Sequence, residues 1–100
     1  MTNIKPVVIT EQARQEILDT LRANKIPDEY GLRVGVKGGG CSAQFLLGFD
    51  TATAHDQIYD VSSIKVIIDK RHLMYVLGVE IGFEQSNEGV GFTVEKNKDQ

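Results

Sequence analysis

Tyr30-Gly31-Leu32-Arg33-Val34-Gly35-Val36-Lys37 runs straight into Gly38-Gly39-Gly40-Cys41-Ser42, and the rest of the chain is arranged around this junction. Tyr30, Leu32, Val34 and Val36 alternate with Gly31, Arg33, Gly35 and Lys37, the period of a half-buried strand with one wet face. Three glycines then interrupt it. Glycine loses the most conformational freedom on folding, so it serves where backbone freedom or close approach of main-chain N–H groups is needed. Beyond the loop, Phe45, Leu47 and Phe49 alternate with Gln44, Leu46 and Gly48 as far as Asp50, which predicts a second strand. The two strands form a hairpin or lie as near neighbours. The one cysteine of the chain therefore stands at an end of a sheet, presented rather than packed.

Upstream, Val7-Val8-Ile9 is a short β-branched run after Pro6 and predicts an edge strand. Thr10 sits where a helix N-cap belongs, with Glu11 in the first turn. Ala13, Ile17, Leu18 and Leu21 then recur at three- and four-residue spacing, an amphipathic helix with its apolar stripe against a sheet. Asn24 and Lys25 suit its last turn, and Pro27 blocks continuation. Downstream, residues 51–57 are small and polar, a surface loop, and Ile58-Tyr59 is a short strand at best. Ile64 to Ile68 is a strand. Asp69 is a good N-cap for a short helix over 70–77 that buries Leu73, Val76 and Leu77 and closes at Gly78. Val79, Ile81 and Phe83 alternate with polar or glycine neighbours, as do Val90, Phe92 and Val94 after the turn Asn87-Glu88-Gly89. Lys96 to Gln100 forms a charged tail with nothing to pack.

About six strands and two helices result, and the strands are covered mostly on one face. They are not regularly interleaved with helices, which argues against a doubly wound fold. The expectation is a β-rich α+β domain spanning 1–100, with small mixed or antiparallel sheets packed on one another, an N-terminal amphipathic helix and a second short helix.

Apolar residues make up 41% and charged residues 25% of the 100, ordinary globular usage. The net charge of −3 comes wholly from residues 51–100, since residues 1–50 are balanced. No basic cluster exceeds Lys70-Arg71, so a nucleic-acid footprint is absent. No apolar run is long enough to span a bilayer, and the N-terminus lacks a signal peptide's apolar region. One cysteine forms no internal disulfide, which fits a reducing, cytoplasmic compartment.

Several chemistries compete for the glycine loop. A nucleotide-binding loop needs Gly-Lys-Ser/Thr opening a helix, whereas Cys41-Ser42-Ala43 leads into a strand. A nucleophilic Cys41 needs a base, and only His55 and His72 are available. A redox-sensing thiol fits exposure and nearby N–H groups, although the chain has no second cysteine to resolve it. Zinc wants four N/S ligands at recognisable spacing, which one chain does not supply. Cys41 can still ligate iron if a second copy supplies another thiolate. A flexible hairpin connection with an incidental cysteine is the bland alternative.

In this order the landmarks resemble the A-type iron–sulfur carriers, the HesB/IscA/SufA-like domain, over about residues 7–95. The resemblance rests on Gly31-Leu32-Arg33-Val34-Gly35-Val36 followed by Gly39-Gly40-Cys41-Ser42, the aromatic strand Phe45 to Asp50, Ile64-Lys65-Val66-Ile67-Ile68-Asp69, Asn87-Glu88-Gly89 and Phe92-Thr93. It implies a HesB-like sandwich and a non-enzymatic protein that handles iron or an iron–sulfur cluster, with assembly or recipient proteins as partners and a homo-oligomeric state. Of the family's three usual cysteine ligands, Cys41 matches the first. The C-terminal C-G-C pair has no counterpart up to Gln100, and Val94-Glu95-Lys96-Asn97 replaces the usual Asn-Pro-Asn. Truncation and natural loss both explain this, and the altered residues favour loss. Cys41 is then the one cofactor and metal ligand, and the remaining positions call on Glu84, Glu88, Asp99, His72, a small thiol, a dimer mate or a partner. Oxygen donors suit such a cluster less well than thiolate, so the bound species is expected to be labile. The rival reading is a degenerate member acting as a protein-interaction module without cluster binding.

Overall fold

A computed structural model describes residues 6–37, 44–87 and 89–96. Among them the elements run β1 (Val7–Ile9), α1 (Glu11–Ala23), β2 (Tyr30–Lys37), β3 (Gln44–Thr51), β4 (Asp56–Val61), β5 (Ile64–Asp69), α2 (Leu73–Val76), β6 (Val79–Ser86) and β7 (Gly89–Lys96). Two mixed sheets result, one ordered β1-β6-β7 and the other β3-β2-β5-β4. β1 runs parallel to β6 and β2 parallel to β5, while the other neighbours are antiparallel. This is the expected β-rich α+β arrangement.

One buried cluster joins the sheets. It takes Val7, Ile9, Val79 and Ile81 from the first sheet and Leu32, Val34, Val61, Ile64, Val66 and Ile68 from the second. Ala13 and Ile17 of α1 and Val76 of α2 complete it. Burying each such aliphatic side chain contributes roughly 1.5–3 kcal/mol, so these alternating strands stay folded chiefly by covering each other.

Helix α1 begins where its cap predicts, with Thr10 Oγ1 accepting from the Ala13 N–H at 3.2 Å. Its end differs from expectation, because Asn24 is the C-cap and Lys25 lies beyond it at φ 51°. The Ile26 N–H donates to the Leu21 carbonyl and the Lys25 N–H to that of Arg22, so the last carbonyls are satisfied before Pro27 is reached.

Other corrections follow from tertiary contacts. Among the described residues seven strands form rather than six, because Asp56–Val61 pairs along the whole of β5 and extends the Ile58-Tyr59 segment into the supposed loop. Strand β2 has no wet face along much of its length. It is an inner strand, with Gly31 and Gly35 buried as well as Leu32 and Val34. A Cβ on Gly31 would stand 2.8 Å from the Lys65 carbonyl oxygen and 2.9 Å from Ile67 Cδ1, so the absence of a side chain is what permits this approach. Helix α2 starts at Leu73 rather than Lys70, because the Asp69 carboxylate accepts from the Arg71 N–H and guanidinium and holds residues 70–72 as a turn. Val76 is buried and Leu73 packs against the core, but Leu77 is 43% exposed. Gly78 closes the helix at φ 81°, as expected. Lys96 is not part of a loose tail, since it ends β7 and its Nζ donates to the Leu77 carbonyl at 2.7 Å. Residues 97–100 of that tail lie outside the described residues.

Candidate functional site

The β2–β3 hairpin is in register from Tyr30 opposite Thr51 to Lys37 opposite Gln44. The intervening residues 38–43, with Cys41 among them, lie outside the described residues, as do Glu88 and Asp99. Both ends of that connection are nevertheless anchored. β2 is held between β3 and β5, and Phe45, Leu47 and Phe49 of β3 pack on the shared core.

Two histidines were candidates to accompany Cys41, and the fold separates them. His72, at the start of α2, lies over β2: its Nδ1 is 3.1 Å from where a Cβ on Gly35 would stand. Gly35 is two residues before the end of β2, so His72 sits near the strand end from which the Cys41 connection departs. His55 is exposed in the connection between β3 and β4, where its carbonyl accepts from the Lys70 N–H. Glu84 belongs to the other sheet, exposed on β6 opposite Gly91 of β7. Among the described residues, no group of three or more His, Cys, Asp or Glu is placed to hold a metal ion.

Electrostatic order beside the hairpin centres on Arg33 of β2, a residue that strand alternation had assigned only to solvent. Its Nε donates to Asp50 Oδ2 at 2.8 Å, and Nη1 and Nη2 grip both Asp56 oxygens at 2.8 Å each. Nη2 also reaches the Thr51 carbonyl at 3.1 Å. The Thr53 N–H and hydroxyl donate to Asp56 Oδ2 from the other side. Hydrogen bonding to Arg33 holds the Asp56 carboxyl well below the usual carboxylate range against an opposing effect of burial, and holds Asp50 down as well. The same pairing with Asp56 raises the Arg33 guanidinium further. β3 and β4 are the two outer strands of their sheet, so this fork ties the chain leaving one to the chain entering the other. The only sequence signal was a polar wet-face arginine followed by aspartates at 50 and 56. A second pair, Arg71 with Asp69 at 2.6 Å, orders the turn before His72 and lowers the Asp69 carboxyl.

The chain matches the profile of the iron–sulphur cluster biosynthesis family over residues 6–98. It is 39% identical over 92 residues to the uncharacterized protein SufA of Bacillus subtilis, covering 90% of this chain and 76% of that protein. It is 32% identical over 91 residues to the iron–sulfur cluster insertion protein ErpA of Hahella chejuensis, covering 89% of this chain and 77% of that one. A solution structure of a protein from Aquifex aeolicus superposes with TM-score 0.68 at 31% identity, covering 97% of each chain. Escherichia coli SufA, a protein involved in biosynthesis of iron–sulfur clusters, shares the fold at TM-score 0.75 and 20% identity, covering 99% of this chain and 89% of that one. The chain therefore belongs to the iron–sulphur cluster biosynthesis family, as an A-type carrier domain of the HesB/IscA/SufA kind.

Proposed function

We propose that this protein carries iron or a labile iron–sulfur cluster as cargo, held through Cys41 and completed by a dimer mate or a partner protein. The observation that carries this reading is the Gly39-Gly40-Cys41-Ser42 element between two registered strands of a family member. An iron–sulfur cluster is held mainly by thiolates, four to a cluster, and this sequence contains one cysteine. The missing donors come from outside the chain or from harder oxygen and nitrogen groups, which bind such cargo less firmly. Weak retention suits delivery to an acceptor, so the role is that of a carrier rather than an enzyme, working in the cytoplasm with assembly and recipient proteins. Among the described residues no helix is long and apolar enough to cross a membrane.

Anaerobic reconstitution with ferrous iron and sulfide tests the ligand role. Wild type is expected to develop thiolate-to-iron absorption that Cys41→Ser lacks. Equal spectra for the two proteins remove Cys41 as a ligand.

The single cysteine of the sequence, set against the three usual in the family, is what favours one alternative, an interaction module that kept the fold and its protein contacts without cargo. That reading predicts partner association insensitive both to Cys41→Ser and to iron chelation.

A further inference from the structure

Helix α2 is apolar on its outside as well as its inside. Val76 is buried and Leu73 packs on the core, while Met74 is 83% exposed, Tyr75 59% and Leu77 43%. The outer positions of a surface helix are ordinarily polar, and methionine and tyrosine stand there instead. Among the described residues no other stretch of four exposes three large apolar side chains. Apolar side chains grouped in this way mark a contact surface, where scattered ones do not. Both residue types suit that use. Methionine adapts its shape to what it meets, and tyrosine joins a broad apolar face to a hydroxyl.

The patch is bracketed by cations. Lys70 and Arg71 precede it, both exposed. Lys96 closes its other end, with Nζ 2.7 Å from the Leu77 carbonyl oxygen. Asp69 holds the Arg71 guanidinium at 2.6 Å, yet the Arg71 side chain stays 74% exposed, so this cation is oriented before anything binds. Among the described residues neither Lys70 nor Lys96 is paired with a carboxylate. Three cations thus gather around one apolar patch in a chain whose net charge is −3.

We infer that α2 docks an acidic segment of a recipient protein, one in which apolar side chains are interspersed with carboxylates. The apolar side chains cover Met74, Tyr75 and Leu77, and the carboxylates meet Lys70, Arg71 and Lys96. Charge selects this occupant. A second copy of the patch laid on itself sets cation against cation whichever way round it is turned. Neither end of the chain matches, since residues 1–5 hold no carboxylate side chain and residues 97–100 no apolar one. A bilayer is a poor fit, because a four-residue helix lacks the long apolar face that an interfacial helix buries. His72, at the start of α2, lies over Gly35 near the strand end from which the Cys41 connection departs. A segment docked on α2 therefore lies on the side of the proposed cargo. The inference rests on the carrier reading only for calling the partner a recipient.

Fluorescence polarisation of the full chain in iron-free buffer tests it. The probe is a labelled short peptide of glutamates interspersed with leucine and phenylalanine, compared with the same peptide carrying lysine for glutamate. Wild type is expected to bind the acidic peptide saturably, less tightly as salt rises, and the lysine peptide at least about tenfold more weakly. Tyr75→Glu and Lys70→Glu, both at exposed positions, are each expected to weaken binding about tenfold. Leu46→Glu, at another exposed apolar position on β3, should leave it unchanged. No saturable binding, equal binding of the two peptides, or an equal loss in Leu46→Glu overturns the inference. Tighter binding to phosphatidylglycerol vesicles than to the acidic peptide also overturns it, in favour of a membrane. Cys41→Ser should bind as wild type does, and a loss there counts against the α2 surface. The reconstitution with iron and sulfide reports separately. Absorption without peptide binding removes this surface and keeps the carrier reading, and peptide binding without absorption does the reverse.

Discussion

Arg33 does more for this fold than its position on a nominally polar strand face suggests. The Asp56 side chain it grips is 1% exposed while Arg33 itself is 27% exposed, so the pair is screened on one side only. Removing the cation leaves a buried carboxylate with only the Thr53 donors. Arg33→Gln is therefore expected to cost about 2–4 kcal/mol in urea unfolding at neutral pH, below the full range for a wholly buried pair. The pH dependence has a definite sign. The Asp56 carboxyl titrates lower in the folded chain than unfolded, so the stabilisation is complete above the unfolded value of about 3.9 and drains away as pH falls below it. The wild-type melting temperature should drop below about pH 4, and Arg33→Gln should drop less steeply over the same interval. Parallel acid profiles for the two proteins would assign the loss to other carboxylates.

Helix α1 is the element whose sequence and structure agree most closely at its start, and one hydroxyl tests why. Thr10 Oγ1 satisfies an N–H that the helix cannot satisfy itself. Thr10→Ala should cost about 1 kcal/mol, and Thr10→Asn should restore most of it, since asparagine caps equally well. Loss of stability in both variants would point instead to Thr10 packing beside Gly82, where its Cγ2 lies 3.8 Å from the position of a Cβ. The β4–β5 turn shows the opposite relation. Ser62 and Ser63 both adopt positive φ, 53° and 69°, in a two-residue hairpin normally built from Asn and Gly. Nothing in two serines announces that turn. Pairing of Val61 with Ile64 and the Arg14 Nε bond to the Ser62 carbonyl at 2.8 Å hold it.

Both sheets and both helices contribute to one buried cluster, so neither sheet keeps an apolar face covered without the other. We expect a single cooperative unfolding transition, with far-UV circular dichroism and tyrosine fluorescence giving coincident midpoints. Separate midpoints would mean that the sheets fold as independent units. The covered region stops short of the outer end of the β6–β7 hairpin, where Val90 is 64% exposed.

Local periodicity was enough to read β2 and β3 as strands, α1 with its cap, β5, β6 and β7, because each signal is complete within a few neighbouring residues, while it left the pairing of β2 with β3 open between a hairpin and a looser neighbourhood. It also singled out the Cys41 connection, whose ends at Lys37 and Gln44 are where alternation resumes. The order of strands was not legible. That order makes β2 an inner strand, buries Gly31 and Gly35, seats His72 over Gly35 and gives Asp50 and Asp56 to one arginine. Nor did two apolar residues in Ile58-Tyr59 reveal a six-residue β4, which exists because β5 offers it a ladder. The reason is physical: alternation and capping are set by neighbours along the chain, whereas which face of a strand is covered depends on residues brought together from far apart in it.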